Sequence, residues 1–452
     1  MDANVGVARK LALEPNIKGP RGYLDINDDN SKLSDANLFT AAEMLTPMGN
    51  THDESIRLAM ASKQSGHIIP VEKSSPVLIS NGVEQTIQYS LSKDFIVTAE
   101  DDGEVVELDD KTGLMIVKYK NGKSQAIDIK PRVVKNSSSG FYISNKLDTN
   151  YKLGDKVKKN DILAYENKFF TQDGHNGNRF NIGSLQKIAI MSAYSTYEDS
   201  TFITHKMSKE MSSEIVMMKD VIIGKNANVD HMVNIGDQVH VGDILVSFET
   251  SYEDDQLNKF LASVGDELKE EIKSLGKVPI KSKYSGVIED IKIYSSVDLK
   301  DLSPSLQKIV KAYYDKINKK KKLIEKYDKS DGIIKAGMLF NEPTGKILPT
   351  ADGKLKGKEV FDGVLIEFYI KYHDSMGVGD KLTFYSALKS IVGEVIEEGY
   401  EPYSEFRPDE EISAFVGPSA VLQRMVPSII FTMFGNKVLI ELKRKLQEIY
   451  EK

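Results

Sequence analysis

Leu153-Gly-Asp-Lys-Val-Lys-Lys-Asn-Asp-Ile-Leu-Ala164 and Ile235-Gly-Asp-Gln-Val-His-Val-Gly-Asp-Ile-Leu-Val246 are two copies of one sequence unit. In each copy a Gly-Asp pair supplies a tight turn, and the alternation of apolar and polar residues that follows suits a half-buried strand. The unit is therefore predicted to be a β-hairpin element of the kind found in barrel-sandwich folds.

The composition bounds the class of protein. A chain of 452 residues is too long for one compact core, so roughly two to four domains are expected. The net charge of −7 excludes the global basic field that drives non-specific DNA binding. The absence of cysteine excludes disulfides, thiolate nucleophiles and cysteine-based zinc sites. No signal peptide or membrane-spanning run is recognisable, so a soluble intracellular protein is predicted.

The hydrophobic pattern changes along the chain. Short strands separated by Asp/Gly turns are predicted between about 92 and 170, and strand-like runs return at 360–396. Helices are predicted at 51–63, 254–274, 304–328 and 436–452. The third helix carries four consecutive lysines, 319–322, which could guide RNA or DNA, although a solvated helix face is the more common role of such a run.

Two lysines and two carboxylates are the first candidate functional residues. Lys381 follows a Gly-Asp turn and Lys389 lies eight residues later, so both ammonium groups could face a phosphate chain from adjacent strands. Glu198 and Asp199 are adjacent and offer the hard oxygen ligands that Mg²⁺ prefers. Taken alone, each pair is more often a solvated surface feature than a site.

Two arginines complete the candidate set. Arg57 and Arg424 each lie beside apolar residues, and a guanidinium in such a setting needs an anionic partner. Structural ion pairs supply that partner more often than substrates do. The seven histidines show no paired metal-ligand spacing, and no Walker or Gly-x-Gly-x-x-Gly motif is present.

In their order along the chain, four motifs resemble the second half of the β subunit of multisubunit DNA-directed RNA polymerases. The family stretch HDDxxRxxMxxxxxxxxVP is similar to His52-Asp-Glu-Ser-Ile-Arg-Leu-Ala-Met60, followed by Ile69-Pro70. The run ending GYNFEDAILI resembles Tyr194-Ser-Thr-Tyr-Glu-Asp-Ser-Thr-Phe-Ile203. Both the arginine and the Glu-Asp pair are kept.

The other two motifs lie towards the C-terminus. The family's GDKMAGRHGNKG resembles residues 379–389, where the spacing of the two lysines is kept but the residues between them differ. The family's NPxGVPSRM resembles Gly417-Pro-Ser-Ala-Val-Leu-Gln-Arg-Met425. The resemblance extends over roughly residues 40 to 450, and its divergence is typical of phage-encoded enzymes.

The resemblance implies a β-rich α+β fold around a double-psi β-barrel that is assembled from discontinuous segments, with barrel-sandwich elements. The implied division, in chain order, is an active-site wall or fork-like segment (1–90), a β-rich hybrid-binding-like domain (91–184), the first part of the double-psi barrel (185–205), a flap-like insertion with helices (206–345), the second part of the barrel (346–435) and a C-terminal helix (436–452).

The resemblance also implies a role for each candidate residue. Lys381 and Lys389 would hold the RNA 3′ end, and Arg57 and Arg424 would meet the nucleotide phosphates. Glu198 and Asp199 would lie near Mg²⁺ through water. No Asp-x-Asp-x-Asp occurs in the sequence, so the triad that holds most of the Mg²⁺ coordination is expected from a β′-like partner.

The family's N-terminal lobes have no counterpart in the sequence, which implies the C-terminal half of a split β-like subunit of the giant (jumbo) bacteriophage type, inactive alone. The implied partners are the N-terminal half of the β-like subunit, β′-like chains, template DNA, nascent RNA and NTPs. A promoter-specificity factor and packaging in the virion stay open. The host cytoplasm is the expected location, with no membrane partner.

Two alternatives from other functional classes stay open. The Gly-Asp repeat also occurs in biotinyl or lipoyl carrier domains, and Met217-Met218-Lys219 has part of their modified-lysine motif, although Asp220 follows. A non-catalytic β-like scaffold protein is the second alternative.

Overall fold

The structure is a computed structural model. It describes residues 11–13, 15, 17–18, 23–24, 38–47, 54–65, 67–135, 142–172, 177–193, 196, 198–249, 277–327, 334–336, 342–385, 388–423 and 427–451. The predicted helix at 254–274 lies outside these residues.

The fold is β-rich with mixed α+β content, 24% helical and 37% strand, which confirms the predicted class. The described strands form small sheets, most of them antiparallel, and none of these sheets closes into a barrel. Within the described ranges, no helix is both long enough and apolar enough to cross a membrane.

The strands are β1 (Ile17–Lys18), β2 (Tyr23–Leu24), β3 (Ile96–Thr98), β4 (Gly103–Asp109), β5 (Leu114–Tyr119), β6 (Ser124–Asp128), β7 (Arg132–Lys135), β8 (Tyr142–Asn145), β9 (Leu147–Asp148), β10 (Lys156–Val157), β11 (Ile162–Glu166), β12 (Phe170–Gln172), β13 (Asn178–Phe180), β14 (Ile188–Ile190), β15 (Ser200–Thr204), β16 (Ser213–Gly224), β17 (Asn228–Met232), β18 (Gln238–Val239), β19 (Ile244–Glu249), β20 (Lys277–Lys281), β21 (Gly286–Ser295), β22 (Ile334–Ala336), β23 (Gly363–Asp374), β24 (Lys381–Phe384), β25 (Leu388–Ile396), β26 (Tyr403–Ser404), β27 (Arg407–Glu411) and β28 (Ala414–Val416). The helices are α1 (Ala41–Met44), α2 (Glu54–Ser65), α3 (Val83–Thr86), α4 (His205–Glu210), α5 (Pro304–Tyr327), α6 (Pro418–Leu422) and α7 (Pro427–Tyr450), with 3-10 turns at Ile87–Tyr89 and Leu299–Asp301.

The chain divides into two compact units, and each is built from separated segments. Unit 1 consists of Met1–Ser92, Glu166–Ser213 and Asp374–Lys452, and unit 2 of Lys93–Tyr165 and Glu214–His373. The segment 346–373, which the predicted division groups with the second part of the barrel, lies in unit 2. The reason is that β23 pairs antiparallel with β21. The paired residues run from Val287 opposite Lys371 to Ser295 opposite Val364.

Unit 2 contains both copies of the sequence repeat, and the two copies have the same structure. Asp155 accepts a hydrogen bond from the Lys152 amide at 2.7 Å, and Asp237 accepts one from the Asn234 amide at 2.7 Å. The glycine before each aspartate has a positive φ, 87° at Gly154 and 94° at Gly236. Residues other than glycine adopt such a φ only at a cost in free energy. The predicted Gly-Asp turn is confirmed in both copies. The predicted β-hairpin is wrong, because the two strands of each copy pair with other strands: β10 with β4 and β11 with β3 in the first copy, and β18 with β21 and β19 with β17 and β20 in the second.

The long helix of unit 2, α5, confirms the helix predicted at 304–328. Its buried residues Leu306, Val310 and Tyr314 pack into a cluster with the apolar sides of β21 and β23. Two lysines of the run on this helix bond to other residues of the same chain. Lys320 pairs with the buried carboxylate of Asp128, and Lys321 donates to a backbone carbonyl, so two of the four ammonium groups are engaged.

Unit 1 is organised around a five-stranded mixed sheet with the order β14-β28-β15-β25-β24. β15 runs parallel to β25 and β14 runs parallel to β28, while β15–β28 and β24–β25 are antiparallel. The strands come from 188–204 and from 381–416, so two segments far apart in sequence share one sheet.

One side of this sheet is the core of unit 1. Leu382, Phe384, Leu388 and Val392 alternate with exposed residues along β24 and β25 and bury their side chains in one cluster. Helix α6 contributes Ala420 and Val421 to the same cluster, Ile429 of α7 is also part of it, and Met60 of α2 packs against it. The helices therefore cover the buried face, and the alternate residues of the hairpin point to the opposite face.

The C-terminal helix α7 begins at Pro427, nine residues earlier than the predicted start at 436. Proline is well suited to a first helical turn, because its missing N–H would have no partner there. Glycine has a low helix propensity. Gly435 lies where Ile79 packs against the helix, and a Cβ added at Gly435 would lie 2.2 Å from the Ile79 side chain. The glycine thus has a packing role inside a continuous helix.

Ion pairs join α7 to β27. Glu441 bonds Lys437 at 2.6 Å and Arg407 at 2.8 Å, and Glu410 pairs with Lys187 at 2.7 Å and with Arg444. The hydrogen bond from Lys437, reinforced by Arg407, lowers the pKa of Glu441 to about 2. The charged form of this carboxylate is therefore favoured in the folded protein.

We expect unfolding of α7 to be acid-sensitive through Glu441. Because the folded pKa is depressed, its contribution is present above the ordinary value of 4.5 and is lost as the pH falls towards about 2. Urea unfolding followed by circular dichroism gives the free energy of unfolding at each pH between about pH 6 and pH 3. As the pH falls, this free energy should decrease less in Glu441→Gln than in the wild type. Glu448→Gln, at an exposed position of the same helix, is the control, and equal slopes in all three proteins would contradict the assignment.

Candidate functional site

Lys381 and Lys389 lie on the same face of the hairpin formed by β24 and β25. Lys381 is opposite Ile391, and Thr383 is opposite Lys389 in the antiparallel register. The two lysines are therefore diagonal neighbours across the hairpin, a relation that separates Cβ atoms by about 7–8 Å or somewhat less. Both side chains are exposed, and within the described residues neither ammonium group has a hydrogen-bond or ion-pair partner.

Lys381 is positioned by a further Gly-Asp turn of the same kind. Asp380 accepts from the Gly377 amide at 2.8 Å, and Gly379 has a φ of 94°. The Gly379 amide donates to the Val392 carbonyl and the Val392 amide donates to the Asp380 carbonyl, each at 2.8 Å. The same backbone pattern holds in both repeats of unit 2, so the exposure of Lys381 follows from the turn.

Sequence reasoning recognised this turn but missed its equivalence to the repeats. The signal was the tripeptide Gly-Asp-Lys, which occurs at 154–156 as well as at 379–381. Lys156 is exposed in the same place after its turn. What distinguishes Lys381 is the second lysine on its face and the acidic turn that approaches from the neighbouring strand.

The acidic turn, Glu198–Asp199, is held against β25. The Ile391 amide donates to the Asp199 carbonyl at 2.8 Å, directly ahead of the parallel pair Ser200–Ile391. Ile391 in turn faces Lys381, so the backbones at 199–200 and 381 lie two strand spacings apart, about 10 Å. Both acidic residues are exposed.

Two buried hydroxyl groups fix the position of this turn. Ser390 donates to the Asp199 carbonyl and is hydrogen-bonded with Thr201, and both residues are almost fully buried. A buried polar group without a partner is costly, so the pair favours this one arrangement of the two strands. Sequence reasoning missed both residues, although Ser390 stands out as a polar residue at a buried position between Leu388 and Val392.

Glu198 has a left-handed backbone with a φ of 55°. This conformation is uncommon for residues other than glycine and costs of the order of 1–2 kcal/mol. Strained backbone tends to persist where the surroundings over-determine it. Here the next residue, Asp199, is held by the hydrogen bonds that its carbonyl accepts from the Ser390 hydroxyl and the Ile391 amide. The strain therefore lies at a predicted site residue.

A close backbone contact holds Thr196, which lies two residues before Glu198. An added Cβ on Gly417, immediately before α6, would lie 2.4 Å from the Thr196 carbonyl oxygen. Thr196 is buried, and its side chain bonds the Ala193 backbone. Gly417 thus allows the end of β28 to approach the chain ahead of Glu198.

The predicted arginines are less fully described. Arg57 belongs to α2, one turn before Met60, which packs on the core of unit 1, but its side chain lies outside what the structure describes. Arg424 lies outside the described residues altogether. The structure therefore brings together Lys381, Lys389 and the Glu198–Asp199 turn, and the two arginines stay predictions.

The carboxylates of this chain provide only part of a magnesium site. Mg²⁺ takes six oxygen ligands in near-octahedral geometry and often keeps several waters. Glu198 and Asp199 offer suitable oxygens, but in the described ranges no group of three His, Cys, Asp or Glu side chains is arranged to hold a metal ion. Any Mg²⁺ bound beside this turn needs further ligands.

Comparison with known proteins adds no relative. No family model matches the chain, and no curated protein matches it significantly.

We expect Glu198→Gly to raise the free energy of unfolding by about 1 kcal/mol, since glycine relieves the left-handed backbone. Asp199→Gly, at a neighbouring exposed carboxylate whose φ is not positive, should instead lower it by about 0.5–1 kcal/mol. Urea denaturation of the two variants compares them directly. Equal destabilisation by both substitutions would show that the backbone at Glu198 is not strained.

Gly417→Ala should destabilise the protein by about 1–3 kcal/mol, because the methyl group would overlap the Thr196 carbonyl. Gly377→Ala is the matched control in the same unit, since its nearest contact is Asp380 Oδ2 at 4.0 Å and its φ is ordinary. Thermal and urea unfolding should show little change or slight stabilisation for the control. A neutral Gly417→Ala would contradict the close contact.

Proposed function

We propose that the chain is the C-terminal part of a β-like subunit of a multisubunit DNA-directed RNA polymerase, in which Lys381 and Lys389 hold the RNA 3′ end. The observation that carries the proposal is the shared exposed face of these two lysines, with the Glu198–Asp199 turn joined to the next strand. The four motifs named above supply the specific resemblance, since a lysine pair alone is common.

We further propose that the five-stranded sheet of unit 1 is part of a double-psi β-barrel. In support, the sheet combines strands from two distant segments and contains two parallel pairs, β14–β28 and β15–β25. Parallel neighbours that belong to separate segments require long crossover connections, as a barrel of interleaved segments does.

Phosphoryl transfer needs few groups with covalent roles. Catalysis rests mainly on positioning and on neutralising negative charge, since the attacking group is the RNA 3′-hydroxyl. Two ammonium groups on one sheet face can bind neighbouring phosphates of one RNA strand as point charges. Neither lysine is engaged by another described side chain, so both charges are available to an anion.

In this proposal Arg57 and Arg424 meet the phosphates of the incoming nucleotide, and Glu198 and Asp199 bind magnesium-coordinated water. When bound, Mg²⁺ would lower the pKa of the attacking hydroxyl and screen the phosphates. Most of its ligands would come from a β′-like chain, so the chain is inactive alone. Template DNA, nascent RNA, NTPs and the other half of the β-like subunit are further proposed partners, within the cytoplasm of a phage-infected host.

The position of Lys219 does not favour the carrier-protein alternative. A lysine that is modified in a carrier domain should stand at the tip of a hairpin, whereas Lys219 lies in the middle of the twelve-residue strand β16. Tyr142, whose hydroxyl lies 3.5 Å from the Met218 sulfur, packs against the same stretch. The geometry therefore favours a structural role for residues 217–219.

Lys381→Ala and Lys389→Ala should each slow RNA extension by the reconstituted polymerase by roughly 30- to 1000-fold, about 2–4 kcal/mol, because each removes a fixed charge beside the reacting phosphates. Lys156→Ala is the matched control, since Lys156 follows the same turn in unit 2. Extension of a preassembled RNA–DNA scaffold measures the rate.

All three variants should unfold at the same urea concentration as the wild type, because the lysines are exposed. Wild-type extension by both site variants would refute the proposal. A non-catalytic scaffold would give the same rates in all variants while the complex still assembles.

A further inference from the structure

The exposed side of helix α5 is dominated by lysine. Nine residues from Lys308 to Lys326 are exposed, and the three that are not lysines are Ala312, Asp315 and Glu325. The other six form what we call the lysine ridge: Lys308, Lys311, Lys316, Lys319, Lys322 and Lys326. At 1.5 Å per residue the ridge is about 27 Å long. It is a local positive surface on a chain whose net charge is −7.

The buried side of α5 holds the lysine ridge towards the solvent. At 100° per residue, the six lysines lie within about 80° of one line along the helix. The buried residues Leu306, Val310 and Ile324 lie about 160–200° from that line. Leu306 and Val310 pack into one apolar cluster of unit 2, and Ile324 packs into another. This packing fixes the rotation of the helix about its axis.

The protein neutralises little of the charge on the ridge. Five of the six lysines have no hydrogen-bond or ion-pair partner in the part of the chain that the structure describes. The sixth, Lys326, donates to the Tyr327 hydroxyl and lies 3.8 Å from a Glu107 carboxylate oxygen. Asp315 lies about 20° from the line of the ridge and Glu325 about 100° from it. Two carboxylates on the exposed side therefore face six ammonium groups.

The charges around the ridge do not reverse its sign. Ahead of the helix, residues 298–301 carry two aspartates and one lysine, at least seven residues before Lys308. Beside the ridge, Lys130 adds a further ammonium group. Burial and the positive charges of Lys316 and Lys320 lower the pKa of Lys130, and two nearby aspartates oppose this shift without cancelling it. The surroundings of α5 at this point are therefore positive as well.

The residue types on the exposed side indicate which anion fits the ridge. Protein interfaces are depleted in lysine and have an apolar, often aromatic core, whereas Ala312 is the one apolar residue exposed from Lys308 to Lys326. A helix that binds a membrane surface buries its apolar side in the lipid, but the apolar side of α5 is buried in unit 2. A phosphate backbone needs only fixed positive charges.

The same residue types distinguish between kinds of nucleic acid. Single strands are bound by stacking of bases on aromatic side chains, and none of the nine exposed residues is aromatic. Double-stranded RNA is recognised largely through ribose hydroxyls, and none of the nine is Ser, Thr, Asn or Gln. Duplex DNA presents one negative charge per about 1.7 Å, and a length of 27 Å corresponds to about eight base pairs.

We infer that the lysine ridge of α5 binds the phosphate backbone of double-stranded DNA without sequence preference. The ridge has charges that attract phosphates and no side chain suited to reading a base edge. The inference goes beyond the proposed role of Lys381 and Lys389, since it concerns a helix of unit 2. Its test measures binding by the chain alone and requires no RNA extension, so each proposal can fail without the other.

The test measures the affinity of the full chain for a labelled DNA duplex of about 20 base pairs by fluorescence anisotropy at several salt concentrations. Release of counterions from about four or five phosphates predicts that the logarithm of the binding constant falls with the logarithm of the salt concentration, with a slope of about −4. Duplexes of different sequence should bind equally. A slope near zero, or no binding at low salt, would overturn the inference.

Three variants assign the binding to the ridge. Lys308→Ala/Lys319→Ala should weaken binding about tenfold or more at low salt and make the slope shallower by about 2. Lys123→Ala/Lys354→Ala removes two exposed lysines elsewhere in unit 2, so it is the control with the same net charge and should bind as the wild type does. Asp315→Asn should bind more tightly, because it removes a carboxylate within the ridge. Equal weakening in the two lysine pairs would overturn the inference.

Three other probes test the choice of duplex DNA. One DNA strand alone and an RNA duplex of the same length should each bind more weakly than the DNA duplex, and vesicles of anionic phospholipid should not sediment the chain. Tighter binding of either nucleic acid would contradict the assignment to duplex DNA. Co-sedimentation with the vesicles that is lost in Lys308→Ala/Lys319→Ala would mean that the ridge binds a membrane surface instead.

Discussion

The parallel pairing of β15 with β25 is the constraint on which the rest of unit 1 depends. Ser390 and Asp199, which are 191 residues apart in sequence, are joined by a hydrogen bond at the point where the two strands meet. Loop-closure entropy disfavours such a long-range contact, so it must be repaid by burial of the cluster beneath the sheet. Without this pairing, the acidic turn and the two lysines would have no fixed relation.

Local structure was largely predictable from the sequence, because it depends on short-range chemistry. The Gly-Asp turns follow from glycine at positive φ, β5 from a short apolar run between turn residues, and α5 from a helical apolar stripe. The start of α7 at Pro427 was missed. Gly435 lowers the helix propensity of this stretch, and its contact with Ile79 is not visible in the sequence. The sheet to which β23 belongs was also not predictable. An apolar run indicates a strand but does not show which strands pair with it.

The candidate site was predictable only in part. The type and spacing of Lys381 and Lys389 indicated anion binding, but the face they share depends on the register of β24 with β25. The Thr201–Ser390 hydroxyl pair and the approach of Gly417 to Thr196 depend on contacts between distant segments, which a single sequence does not display. The roles of Arg57 and Arg424 rest on the resemblance alone.

The proposed function joins these features in one chemical idea, which is that fixed positive charges on an exposed sheet face bind the phosphates of a growing RNA. Affinity labelling tests it most directly. An initiating nucleotide that bears an aldehyde would be linked by borohydride to a nearby lysine in the reconstituted complex, and then extended by one radioactive nucleotide so that only active-centre label is detected. The account predicts radioactive label on Lys381 or Lys389, and label confined to other lysines or to other chains would contradict it.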